Sequence, residues 1–115
     1  MIVARDLEVR RGGRTILDVP AFAVAGGGLT GLGGPHGAGE STLVRVLAGE
    51  LRPEHGTVTW DGATLARIAP EELARRRAVL PQASVLGFPL RAEAVVLLGR
   101  IPHAGRATRA EDARA

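Results

Sequence analysis

The sequence contains no cysteine and no lysine; all 15 of its cationic residues are arginine. Without cysteine, a disulfide scaffold and a thiolate metal centre are excluded. Aromatic residues are only 3% of the chain, too few to supply a surface on which nucleobases stack. No apolar run approaches the ~20 residues that a membrane-spanning helix needs. The opening stretch MIVARDLEVRR alternates apolar and polar residues and has no apolar block of the secretory kind. The expected compartment is therefore the cytoplasm. Neither sign of charge dominates, because 12 acidic residues offset the arginines to a net +3, and the two signs are interspersed. Only Arg75-Arg76-Arg77 is a tight basic run, and it reads as the solvated end of a helix, so no nucleic-acid partner is expected.

The 115 residues give room for one small domain and not for two. With 45% hydrophobic and 23% charged residues, the composition is that of a folded globular chain. Residues 2–10 alternate and predict a strand; Gly12-Gly13 predicts a turn, and Thr15 to Val19 a returning strand. A third strand is expected around Phe22 and Val24, closed by Gly26-Gly27-Gly28, and a short buried strand from Leu29 to Gly33. Leu43, Val46, Leu47 and Leu51 then fall on one stripe of a helix that Pro53 and Gly56 would stop. Asp61-Gly62 between Thr57–Trp60 and Ala63–Leu65 predicts a hairpin. Pro70-Glu71-Glu72 opens a short helix whose end carries the arginines, matching the helix dipole at both ends. A short strand is expected at Ala78 to Pro81, a helix at Glu93 to Leu98, and a last helix start at Thr108–Glu111, which has capping-box spacing.

Between the expected strand at 29–33 and the helix lies a glycine-rich loop, GPHGAGEST, from Gly34 to Thr42. The phosphate-loop pattern is Gly, four residues, Gly, Lys, then Ser or Thr. Gly34, Gly39 and Ser41 fit it, and Glu40 breaks it. Glycines are needed there because backbone N–H groups must approach phosphate oxygens closely and positive φ must be allowed. The helix that follows would aim its N-terminus at the same phosphates. Ser41 would offer its hydroxyl to Mg²⁺, and Thr42 could hydrogen-bond phosphate. The other reading of this stretch is a glycine-rich turn that only caps a helix.

The neighbouring residues carry a resemblance. GPHGAGEST differs only at His36 and Glu40 from the GPNGAGKST usual in the ATP-binding subunits of ABC transporters. The helix text STLVRVLAGEL, the hairpin with Trp60-Asp61-Gly62 and the stretch LARRRAVLPQ ending at Gln82 are similar to that family too. FPLRAEAVVLLGRIPH, from Phe88 to His103, most resembles the subfamily that energises hemin import, and next its iron-siderophore relatives. The resemblance implies an α/β fold of the P-loop NTPase type, with residues 1–115 as a partial, N-terminal ATP-binding domain that includes an antiparallel β subdomain. It implies ATP and Mg²⁺ as cofactors, with Gly34, Pro35, His36, Gly37, Ala38, Gly39, Glu40, Ser41 and Thr42 around the phosphates. Ser41 would bind Mg²⁺, and Gln82, at the position of the Q-loop glutamine, would contact Mg²⁺ and the attacking water. It further implies a membrane permease partner, a homodimer in the complete family member, and a place on the inner face of the cell membrane.

The chain departs from the family at Glu40, which stands where the lysine that neutralises phosphate charge is expected. One unit-charge pair at about 4 Å is worth on the order of 4 kcal/mol at an effective dielectric of about 20, before water and Mg²⁺ screen it. Reversing the sign predicts weak nucleotide binding and very slow hydrolysis. His36 adds positive charge only in its protonated form. Arg11-Gly12 occupies the place of the aromatic residue that stacks on adenine, and the LSGGQ-like signature, the Walker B strand, the catalytic glutamate and the switch histidine are not present. The sequence therefore predicts an importer component, for hemin or iron-siderophore, with no catalytic residue of its own. The alternative is a non-catalytic regulatory module that docks a membrane transporter subunit.

Overall fold

The computed structural model of the chain describes residues 1–82 and 87–104, which fall into two units, Met1–Ile68 and the described residues from Ala69 onward. The helix start expected at Thr108–Glu111 lies outside the described residues.

The first unit is built on a four-stranded antiparallel sheet of order β2-β1-β3-β4. β1 (Ile2–Arg11) and β2 (Arg14–Val24) pair from Ile2↔Val24 to Arg11↔Arg14. Their turn is Gly12-Gly13, with φ of 56° and 77°, the double positive φ of a tight hairpin whose twist suits the strands. The two strands expected between Thr15 and Val24 are one, because Pro20 sits on an edge strand, where a missing N–H costs no ladder bond. β3 (His55–Trp60) pairs with the other side of β1, and β4 (Ala63–Thr64) folds back on it around Asp61-Gly62, as the Asp-Gly pair predicts. The Met1 ammonium pairs with the Asp61 carboxylate, and the Asp61 N–H donates to the Met1 carbonyl at 2.8 Å.

Pairing between β1 and β3 is irregular between Arg5 and Glu8. Asp6 adopts φ 51° there, opposite Gly56 at φ 90°. A methyl group at Gly56 would stand 2.4 Å from the Asp6 carbonyl oxygen and 2.5 Å from that of Arg5, so the two backbones close only because position 56 has no side chain.

Helix α1 (Glu40–Leu47) lays its apolar stripe against this sheet. Leu43, Val46 and the following Ala48 are buried together with Leu7, Val9 and Leu17 of the hairpin and Val58 and Trp60 of β3. Each such Val or Leu contributes about 1.5–3 kcal/mol when taken fully out of water. The stripe read from the sequence runs on to Leu51, but the helix stops earlier. Gly49, at φ 76°, reverses the chain, and the N–H groups of Glu50 and Leu51 both turn back to the Arg45 carbonyl at 2.9 and 3.2 Å. The Trp60 indole N–H donates to the Leu47 carbonyl at 3.0 Å, which satisfies one of the carbonyls orphaned at the helix end.

Two expected strands are not formed. Residues 29–33 and 78–81 carry no regular structure, and Leu29 and Leu80 are almost wholly exposed. A short apolar run becomes a strand only when a neighbour completes its ladder. Among the described residues neither run has one.

In the second unit, α2 (Pro70–Arg76) starts with proline and two glutamates and ends in arginines, as expected. Its Leu73 is buried, and the Arg75 Nε–H donates to the Pro102 carbonyl at 2.5 Å in a single 3₁₀ turn, Ile101–His103. α3 (Ala92–Leu98) begins one residue before the expected start and has no buried residue; Val95 to Leu98 all face solvent. Among the described residues no helix is long and apolar enough to cross a membrane.

Gly56→Ala is expected to lower the urea or thermal midpoint far more than Gly12→Ala, by over ~2 kcal/mol against about 1 kcal/mol. Both glycines have positive φ, but only Gly56 also meets backbone within 4 Å. Similar losses would show that the β1–β3 closure does not depend on the missing side chain. Trp60→Phe keeps the ring and removes the donor to Leu47, and a loss of about 1 kcal/mol in the same unfolding assay is expected.

Candidate functional site

The first unit brings the residues from Gly34 to Thr42 together at the start of α1. Three local features shape them. Pro35 to Ala38 form a tight turn closed by the Ala38 N–H donating to the Pro35 carbonyl at 3.0 Å. Gly37 and Gly39 adopt φ of 82° and 91°, conformations that a side chain disfavours. Gly39 is then the N-cap of α1, without any side-chain cap, and the first helical hydrogen bond runs from the Leu43 N–H to its carbonyl at 2.8 Å. The N–H groups of Glu40, Ser41 and Thr42 precede that bond and are the orphan donors of the helix N-terminus. Gly34 through Ala38 and Ser41 are exposed, while Gly39, Glu40 and Thr42 are half-buried.

Gly39 also pins the loop to the sheet. A methyl group there would stand 2.9 Å from the Ile16 carbonyl oxygen and 3.1 Å from Leu17 Cδ1. The sequence marks Gly39 as a phosphate-loop glycine. Its second role, allowing the helix start to close on β2, is invisible without the pairing of β1 and β2.

Glu40 is the first residue of α1, and its side chain folds back over the loop. Its Oε1 lies 3.3 Å, and its Cδ 3.8 Å, from the point where a Cβ on Gly34 would stand. At a helix N-terminus an acidic side chain is electrostatically favoured, by about 0.3–1 kcal/mol where exposed. The same position is unfavourable for a bound polyanion. The loop's backbone therefore suits a phosphate, with glycines at its constrained points and unpaired amides at a helix start, while its side-chain charge does not. Ser41 places a hydroxyl on the exposed side of the first turn, where it could serve a cation that accompanies a phosphate. Among the described residues no group of three or more His, Cys, Asp or Glu side chains is placed to hold a metal by itself.

Gln82 lies in the second unit, exposed and at a bend; the strand expected to lead into it, from Ala78 to Pro81, is absent. Arg11 is exposed at the end of β1, beside the Gly12-Gly13 turn.

The hemin import ATP-binding protein HmuV of Nocardia farcinica is 53% identical over 104 residues, covering 86% of this chain and 36% of that protein. The HmuV of Agrobacterium fabrum is 41% identical over 115 residues, covering 100% of this chain and 44% of its own length. A solved structure described as the ATP binding subunit of an ABC transporter superposes with a TM-score of 0.80 at 28% identity, covering 98% of this chain and 46% of that one. The chain thus spans less than half the length of each of these proteins. Residues 17–113, which include the whole glycine loop, match the family model described as ABC transporter, and the chain belongs to that family.

Proposed function

We infer that this chain is the loop-bearing part of the ATP-binding component of an ABC importer. Hemin is the substrate that its relatives' names point to, and an iron-siderophore is the next choice. In this reading the loop from Gly34 to Thr42 holds the phosphates of ATP, Ser41 serves Mg²⁺, and Gln82 contacts the metal and the water. A membrane permease subunit is the partner, and two ATP-binding domains act as a pair on the cytoplasmic face of the membrane. What residues 1–115 hold of the ATP-binding domain is then its N-terminal part. When bound, Mg-ATP supplies the energy of transport; this chain's own residues supply the grip on it.

The observation that carries the finer part of the reading is the Glu40 carboxylate folded over Gly34. A carboxylate in that place repels the phosphates that the backbone would otherwise attract. The expected result is weak nucleotide binding and very slow hydrolysis. A second reading, a non-catalytic module that docks a membrane transporter subunit, is favoured by α3, where Val95, Val96, Leu97 and Leu98 are 37–50% exposed.

Calorimetric titration of Mg-ATP into the chain and into Glu40→Lys tests the charge argument. The substitution should bind at least about tenfold more tightly, the equivalent of ~1.4 kcal/mol. Equal affinities would defeat it. In the Glu40→Lys background, adding Ser41→Ala should remove most of the difference in affinity between Mg-ATP and ATP in EDTA. If Mg²⁺ still strengthens binding to the same degree, Ser41 does not serve the metal.

A further inference from the structure

The Glu40 carboxylate does more than carry a charge of the wrong sign: it has a definite place. It is half-buried at the end of a loop whose residues from Gly34 to Ala38 are all exposed. It reaches back along the loop to Gly34, whose missing Cβ would stand 3.0 Å from the Ala38 Cβ and 3.3 Å from Glu40 Oε1, so a side chain there would displace the carboxylate. It does so from the first residue of a helix that has no side-chain cap. An anionic group, a glycine crowded by Ala38 and by the carboxylate, and an uncapped helix start thus coincide on one side chain.

We propose that Glu40 is a built-in occupant of the loop, an autoinhibitory contact in which a tethered carboxylate stabilises the anion-free conformation and has to swing out before a phosphate enters. The proposal rests on the reading of Gly34 to Thr42 as a phosphate loop. It differs from simple repulsion in one respect: the reach of the side chain matters as well as its charge. Aspartate at the same position keeps the charge and the helix-dipole interaction, but it is one methylene too short to lie over Gly34. Occupation also ties the side chain to the fold. Removing it should cost stability when no anion is present, and an added anion should restore that stability.

The experiment uses the full chain in phosphate-free buffer, with inorganic pyrophosphate as the probe, and compares the wild type with Glu40→Asp, Glu40→Ala and Glu40→Lys. Occupation predicts that Glu40→Asp binds pyrophosphate about three- to tenfold more tightly than the wild type despite its equal charge, and that Glu40→Ala gains more. It also predicts that the anion-free thermal midpoint of Glu40→Ala falls by about 2–6 °C and that pyrophosphate recovers the loss. Equal affinity of the wild type and Glu40→Asp leaves charge as the whole effect and overturns the occupant. So does an anion-free midpoint of Glu40→Ala that matches the wild type. If Glu40→Lys binds neither pyrophosphate nor Mg-ATP, the phosphate-loop reading itself fails, a result distinct from the other two. Should Glu40→Ala not hold its fold, the comparison of wild type with Glu40→Asp decides the matter alone.

Discussion

The seating of α1 on the sheet is the constraint from which the site follows. The helix is held at both ends. At its start, Gly39 closes on the Ile16 carbonyl and Leu17 of β2, an approach that a methyl group would block at 2.9 Å. At its end, the Trp60 indole of β3 holds the Leu47 carbonyl at 3.0 Å. Between them Leu43 and Val46 are buried against the sheet. An eight-residue helix would not persist alone in water, since nucleation is costly and short helices are marginal. Its place, and hence the direction of its first-turn amides, is set by tertiary contacts at either end. The loop from Gly34 to Ala38 is itself exposed and gains its position from the helix it enters.

Read as a phosphate loop, as proposed, residues 34–42 separate two properties that such a loop ordinarily combines. Shape is a matter of backbone: positive φ at Gly37 and Gly39 and the turn from Pro35 to Ala38. Charge is a matter of one side chain at the first helical position. The family match over residues 17–113 and the superposition on an ABC ATP-binding subunit both read the backbone and the surrounding sequence, so a substitution at position 40 leaves them intact. Family membership and anion affinity are consequently different questions here. The first is answered by the match over residues 17–113; the second, on the proposed reading, turns on Glu40.

What could be read from the sequence was local. The turns at Gly12-Gly13 and Asp61-Gly62, the proline and acids opening α2, and the glycine loop ahead of α1 each follow from a few adjacent residues whose conformational preferences agree with the fold. What could not be read was the pairing. Residues 29–33 and 78–81 have strand-like composition, yet they are not strands, because a strand is defined by its neighbour and the described residues offer them none. Gly56 reads as a helix stopper in the sequence; its role is to let β3 pass the Asp6 irregularity, a contact fifty residues apart in the chain. The end of α1 departs from its apolar stripe for a related reason. The stripe through Leu51 suggested continuation, while Gly49 had already turned the chain. The glycine loop was legible from the spacing of Gly34, Gly39 and Ser41. The lie of Glu40 over Gly34 was not, because a side chain's direction depends on the room that another residue leaves.

The helix dipole gives the exchange at position 40 a consequence beyond the ligand. A lysine there would stand at the positive end of α1, which is unfavourable in the anion-free state by roughly the amount that an acid gains, about 0.3–1 kcal/mol. Such a lysine is an investment recovered only when a phosphate arrives. On the proposed reading glutamate would reverse both terms, favouring the loop without an anion and penalising the loop that holds one. The two changes would add in the difference between free and bound states, so one residue would shift the equilibrium by more than either its attraction to the helix or its repulsion of the ligand alone. A family that keeps lysine at this position accepts a less stable empty loop in return for affinity. With Glu40 resting over Gly34, this chain would have the opposite balance on the proposed reading, and its backbone need not differ from the family's for that to be so.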